Sequence, residues 1–341
     1  MAIVVQSIGT YKKMIAPLVL CSFLALLLPI LSTAKDAGAP PAFEKVIIDT
    51  DIGADIDDAF AIALALRSPE LDILGFSTVF GDTEARAKII DRMLGETGHA
   101  NIPVAIGNST SPQDAFFPPS MIGPQKRYGE SGKFAKASHP AAVDFILEQI
   151  RRFPQQVTLV AIGPLTNVGA LIDSDLVSFR KLKRVVLMGG WFGPVGNDIG
   201  QGTTPRPEYN IAMDIGSAQK LFSSGVPIYM MPQDATNHLT LEEQNRLAVF
   251  SAATPLTDAL GLLYLLSGVT TPVLHDALPV AFAVDPTLCP VTPLRIVIDG
   301  QGFTRIEQGP SNAQVCLHSD REVFLNYYMR RIVGGDNADQ L

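Results

Sequence analysis

Five aspartates fall within ten positions of a 341-residue chain, in the run Asp49-Thr-Asp51-Ile-Gly53-Ala-Asp55-Ile-Asp57-Asp58. The β-branched run Val46-Ile47-Ile48 precedes it, and the apolar segment Ala59 to Leu66 follows. A buried-type strand before the loop and a buried-type helix after it place the carboxylates in a crevice. Like charges packed that closely repel, so a folded chain needs a cation, or water and hydroxyls, to take up the charge. The segment therefore points to a metal and to chemistry.

The rest of the chain alternates short β-branched runs with longer apolar-periodic ones. Strands are expected at Lys45–Asp49, Ile73–Val79, Pro103–Ile106, Val157–Ile162, Val185–Met188 and Pro227–Met231, with helices between them. Short hairpin-type strands at Arg295–Ile298, Thr304–Glu307 and Gln314–Leu317 and a closing helix at Glu322–Ile332 follow. Strand–helix alternation implies βαβ units with right-handed crossovers. The expected fold is α/β: a mostly parallel, open, twisted sheet with helices on both faces, Rossmann-like, plus a small antiparallel C-terminal element. Ligands in such sheets bind beyond the carboxyl ends of the strands. Four loops meet there: the acidic loop, Phe80-Gly81-Asp82, Gly163-Pro164 and Gly189-Gly190-Trp191.

Residues 1–34 read as a secretory signal peptide. Lys12 and Lys13 precede a nearly unbroken apolar run from Met14 to Leu31, and Ser32-Thr33-Ala34 closes it with small residues. The competing reading is an uncleaved membrane anchor, disfavoured by Pro17 and Pro29. A linker is expected at 35–42 and one α/β domain at 43–335. The protein is then exported, periplasmic or secreted, with no stable membrane insertion after processing. A formal charge of −8 argues against a nucleic-acid partner, which needs a basic face. Beyond the leader only Cys289 and Cys316 remain; export permits them to pair, and two separate semi-buried thiols are the alternative.

Two other readings of the acidic loop are weaker. An EF-hand starting at Asp49 would put Gly53 at position five, Ala54 at the turn glycine and Phe60 at the bidentate Glu. An aspartyl-nucleophile phosphatase would use Asp49 and Asp51, yet Gly53 stands where Thr or Val belongs. Asp49-Thr-Asp51-Ile-Gly53 followed by Asp57-Asp58-Ala59 instead resembles the N-terminal signature of nucleoside hydrolases of the inosine–uridine-preferring type. Thr158-Leu-Val-Ala-Ile162-Gly163-Pro164-Leu165-Thr166-Asn167, Val185-Val-Leu-Met188-Gly189-Gly190, Gly196-Asn197 with Glu208-Tyr209-Asn210, and His275-Asp276 resemble the family's later blocks, in order.

The resemblance implies hydrolysis of the N-glycosidic bond of ribonucleosides to ribose and free base. It implies Ca2+ held by Asp51, Asp58, the Ile162 carbonyl and Asp276. Asp57, Glu208 and Asn210 would bind ribose hydroxyls, Asn197 the 5′-hydroxyl, and Met188 would line the sugar pocket. Asp82, where some members carry Asn, falls near the 5′ end. Asp51 would double as the base that takes a proton from water, and a small-molecule nucleoside would be the partner of a homo-oligomer, dimer or tetramer. His275 is the candidate acid for the leaving base, against a structural role beside Asp276. Trp191 either stacks on the base or packs as an ordinary loop residue. Phe116, Phe117 and Tyr128 form a lid, or belong to a surface segment. Asp55 lies in a two-residue insertion relative to the shortest family pattern and has no assigned role. An exported nucleoside- or sugar-binding protein without catalysis is the competing function.

Overall fold

The computed structural model describes residues 43–109, 122–193 and 206–334. The leader, the linker, Phe116, Phe117 and Asn197 lie outside the described residues. Within them, β1 (Glu44–Thr50), α1 (Asp57–Leu66), β2 (Leu71–Thr78), α2 (Thr83–Glu96) and β3 (Val104–Ile106) come first. Next are α3 (Lys126–Gly129), α4 (Ala142–Arg152), β4 (Val157–Ala161), α5 (Thr166–Phe179) and β5 (Arg184–Met188). Then come α6 (Tyr209–Met213), α7 (Ile215–Ser223), β6 (Ile228–Met231), α8 (Gln233–Thr236), α9 (Glu243–Ser251), α10 (Pro255–Ser267) and α11 (Ala277–Val284). The chain closes with β7 (Val291–Ile298), β8 (Thr304–Glu307), β9 (Ala313–Cys316) and α12 (Arg321–Val333).

The nine strands run in the order β3-β2-β1-β4-β5-β6-β9-β7-β8. All pairings from β3 through β9 are parallel, while β7 runs antiparallel to both β9 and β8. This is the expected mostly parallel sheet with an antiparallel C-terminal edge. Alternation along β1 explains its burial on both sides. Val46 and Ile48 join the core shared with α1, α2, α10, α11 and α12, and Ile47 joins the core shared with α4, α5 and α7.

Strand order reverses between β1 and β4, since β2 and β3 extend one way and β5 and β6 the other. Connections leaving two neighbouring strands in opposite directions open a crevice at their carboxyl ends. The acidic loop leaves β1 at that point, and Ile162 follows β4 there.

Sequence periodicity misses the short helices α3, α6 and α8, which are one turn or little more and too brief to show a repeat. Asp82 caps α2, accepting from the Ala85 amide at 3.0 Å. Cys289 and Cys316 are joined in a disulfide with Cα atoms 5.7 Å apart, which settles the alternative left open by the sequence. No helix among the described residues is long and apolar enough to cross a membrane.

Candidate active site

A cavity of about 390 Å³ opens at the carboxyl ends of β1, β4, β5 and β6. From β1 and its loop come Asp51, Ala54 and Asp55, and from the first turn of α1 come Asp57 and Asp58. Ile162 follows β4, Met188 ends β5, and Gln233 follows β6. Glu208, Tyr209 and Asn210 come from the start of α6, and Val269, His275 and Asp276 complete the wall.

At its floor Asp57, Asp58 and Asp276 offer carboxylate oxygens within 4.8 Å of one another, all three buried. The Thr50 hydroxyl donates to Asp58. Burial, and then the negative charge of neighbouring aspartates, hold all three well above the ordinary carboxylate range. Three hard oxygen donors forced together at that cost suit a divalent cation, whose charge would reverse the effect. The tight group contains Asp57, which the resemblance assigned to ribose, and not Asp51.

Asp51 lines the same cavity from above. Burial raises its pKa to about 6, with the Arg86 guanidinium opposing. Its carboxylate lies against Gly163, where a Cβ would sit 2.9 Å from Asp51 Oδ1 and 3.0 Å from the Asp51 amide. Only glycine lets the β4 loop come that near. Asp49, two residues back on β1, lies outside the cavity in a buried polar set. It accepts from the Ser77 hydroxyl at 2.6 Å and the Asn167 amide at 2.8 Å, and burial raises it to about 7.

Asn210 ties the ends of β4 and β5 together. Its side-chain amide donates to the Ile162 carbonyl at 3.3 Å and the Met188 carbonyl at 3.2 Å. Glu208 caps α6, taking the amides of Gly190, Asn210 and Ile211 at 2.9, 2.9 and 3.1 Å. Burial raises Glu208, and those three amides oppose the shift. An ionised carboxylate retains acceptor capacity beyond three bonds, so the cap and a ligand contact are compatible.

His275 stands beside Asp276 with Nδ1 2.7 Å from the Thr236 hydroxyl. Burial lowers its pKa to about 4, so at neutral pH the imidazole is uncharged. Thr236 also lies 3.3 Å from the Pro232 carbonyl, to which it can donate. Whether the hydroxyl points at Pro232 or at His275 decides which ring nitrogen carries the proton facing the cavity.

Three candidate residues do not line this cavity. Asp82 does not reach the cavity: its carboxylate caps α2 and pairs with Lys126 at 3.3 Å, so its charge is already committed. Trp191 is buried outside the cavity, with its ring 5.8 Å from the Arg206 guanidinium. The Gln233 amide donates to the Gly190 carbonyl at 2.9 Å and the Phe192 amide to Asp234 at 3.0 Å, which fixes that stretch against α8. Tyr128 is no lid residue. It is buried in α3, its hydroxyl donates to Glu96 at 2.6 Å, and Arg92 lies 4.0 Å over its ring. That half of the long loop is a packed clamp on α2.

Sequence reasoning passes over Gln233, Tyr209, Val269 and the buried Arg86. Gln233 could have been found, because it follows a strand end of the parallel sheet. Tyr209 packs edge-on against Phe80, ring centroids 6.1 Å apart. Val269 carries no chemical signal of its own.

The chain matches the model of the inosine-uridine preferring nucleoside hydrolase family over residues 46–326. It is 34% identical over 211 residues to uridine nucleosidase 1 of Arabidopsis thaliana, covering 60% of this chain and 60% of that protein. The chain thus spans about 60% of that relative's length. It is 30% identical over 316 residues to the pyrimidine-specific ribonucleoside hydrolase RihA of Citrobacter koseri, covering 84% of this chain and 97% of the other. Among solved structures it is similar to a plant nucleoside hydrolase, with a TM-score of 0.73, 25% identity, and coverage of 87% of this chain and 100% of that one.

Proposed function

The chain belongs to the inosine-uridine preferring nucleoside hydrolase family, and on that premise we propose that it hydrolyses the N-glycosidic bond of ribonucleosides to ribose and free base. One observation carries the reading: a buried trio of carboxylates forms the floor of a cavity whose walls are further acids, amides and one imidazole. Oxygen donors with no sulfur or nitrogen among the three favour calcium as the ion. Asp57, Asp58 and Asp276 would hold it, with Asp51 and the Ile162 carbonyl at the same cavity wall. When bound, calcium supplies a fixed positive charge that orients oxygen ligands and makes water more acidic.

The chain's own groups do the rest. Asp51 accepts a proton from the attacking water. Glu208 and the aspartates favour the positive charge that develops on the ribosyl ring, and burial magnifies that effect. Asn210 fixes the sugar-side wall and offers its side-chain oxygen to a ribose hydroxyl. Met188 gives that wall an apolar surface. His275 offers the departing base a hydrogen bond from its ring N–H, which requires the Thr236 hydroxyl to point at Nδ1 and leave the other ring nitrogen protonated. The neutral ring polarises the base and keeps its own proton, and the base takes a proton from solvent as it leaves. Asn197 is assigned to the 5′-hydroxyl on the resemblance alone.

No lysine or arginine lines the cavity among the described residues, which disfavours a phosphate-bearing substrate. The names of the curated relatives make uridine the first substrate to try. The Cys289–Cys316 disulfide supports an exported protein, and a homo-oligomer follows from the resemblance. The test is incubation of purified protein with uridine and inosine and an assay for reducing sugar. Sugar release supports the reading; ligand binding with no release across a nucleoside panel replaces it with a binding protein.

A further inference from the structure

Arg86 is fully buried, and no other described residue brings a full positive charge beneath the acidic loop to bond its backbone. It sits on the first turn of α2. Among its contacts with described residues, its guanidinium donates to main-chain carbonyls: Nε to Phe80 at 2.7 Å, and Nη1 to Ile52 at 2.7 Å and to Asp51. Two of these carbonyls belong to the acidic loop and the third to the β2–α2 turn. That turn is itself unusual, with Phe80 at φ +64° and Gly81 at φ +66°. A bulky residue in the left-handed region costs on the order of 1–3 kcal/mol and persists only where its surroundings hold it. Arg86 is one of those holds.

The other side of the acidic loop is held differently. The Gly123 amide donates to the Gly53 carbonyl at 2.8 Å, and the Gln125 side-chain amide donates to the Asp55 carbonyl at 2.8 Å. Without Arg86 the carbonyls of Asp51 and Ile52 would lose a buried donor, while the aspartates around the cavity floor would still repel one another. We propose that Arg86 is a positioning residue: by clamping the Asp51 and Ile52 carbonyls to the Phe80 turn, it holds the acidic loop in the shape that gathers its carboxylates at the cavity floor. It touches neither substrate nor metal. Its effect on a bound cation is indirect and must overcome its own repulsion of that cation, so geometry and charge pull in opposite directions.

The inference rests on the metal-site reading only for its second readout. Two variants separate fork from charge. Arg86→Lys keeps the positive charge but loses the planar multi-donor fork, and Arg86→Gln loses both. Amide hydrogen exchange is followed by mass spectrometry in wild type and both variants, all without added metal. Peptides covering 49–58 should exchange faster in both variants, while peptides over β5 and β6 keep wild-type protection. Calcium titration by calorimetry should then show affinity weakened by about 10- to 100-fold in both, the range typical for groups that orient ligands from behind. A destabilised control, Ile150→Val in α4, should leave calcium affinity unchanged. Wild-type exchange of 49–58 in Arg86→Lys overturns the inference. Calcium binding that improves in Arg86→Gln also overturns it, because charge would then outweigh geometry. A wild-type protein that binds no calcium sinks the calcium assignment and leaves the exchange result to decide Arg86. A wild-type protein that binds calcium but cleaves no nucleoside sinks the proposed activity alone.

Discussion

His275 shows what burial does to one side chain. Its lowered pKa, about 4, leaves a neutral ring at physiological pH. In the proposed role, that neutral ring serves the leaving base through a hydrogen bond from the nitrogen that Thr236 leaves protonated. His275→Ala should lower turnover of uridine and inosine by about 10²-fold or more. Nitrophenyl riboside, whose leaving group needs no proton, should suffer far less; equal losses on both substrates would remove His275 from that role. Asp51→Ala should cost about 10²- to 10⁴-fold in kcat at saturating calcium. A near-normal kcat would take the base role from Asp51. The Asp57-Asp58 pair was legible as part of an acidic crevice, but the grouping of Asp57 with Asp58 and Asp276 was not, because the resemblance assigned Asp57 to ribose. Asp82 and Trp191 lie outside the cavity lining: an Asp just before a helix is drawn to the cap, and the sequence does not separate a loop tryptophan that packs from one that stacks. Arg86 was invisible for a related reason: a basic residue on an amphipathic helix ordinarily reads as solvated, and its burial follows from the turn before it.

At the level of elements, the acidic loop depends on a glycine. Gly53 has φ +105°, and a Cβ there would lie 2.9 Å from both Ile122 Cγ1 and Ile89 Cδ1. Gly53→Ala should therefore destabilise the fold by about 1–3 kcal/mol in urea unfolding. A change below experimental scatter would mean that the loop can relax around a methyl group. Strands β1, β4 and β5 were readable because each carries a short β-branched run buried on both faces, which hydrophobicity announces. The expected lid was not readable. Tyr128 and Arg92 form a ring–guanidinium contact that fastens α3 onto α2, a tertiary pairing with no sequence period. Helix α5 runs on to Phe179 past a break at Asp175, a kink that apolar periodicity does not announce.

Across the whole molecule, the ends of the sheet divide the work. The carboxyl ends of the strands carry the cavity, and the amino ends carry ion pairs that tie strands together. Glu44 at the start of β1 accepts from Lys183 at 2.5 Å and from the Thr158 hydroxyl at 2.6 Å, and it pairs with Arg184 at 3.1 Å. Burial alone would raise its pKa; the hydrogen bonds and the charges of Arg184 and Lys183 outweigh it, and the group is held below 4.5. A depressed carboxylate contributes stability above its unfolded pKa and loses it as pH falls through the folded value. Glu44→Gln should thus cost about 1 kcal/mol near neutrality, with the difference from wild type closing in acid. Parallel curves at every pH would contradict that account. The parallel sheet and its antiparallel edge were legible as a whole because alternation of strand and helix leaves few topologies. The assembly of the cavity was not, since it depends on α6 and α8, single-turn elements that only tertiary contacts define.

The central claim is that a divalent cation gripped by Asp57, Asp58 and Asp276 is needed for nucleoside cleavage. Its most direct test is uridine hydrolysis measured with the purified protein, then after exhaustive chelation, then after calcium is restored. The account predicts activity that chelation abolishes and calcium returns, with Asp276→Asn inactive at every calcium concentration reached. Full hydrolysis in the chelated protein, with no calcium bound by calorimetry, would contradict it.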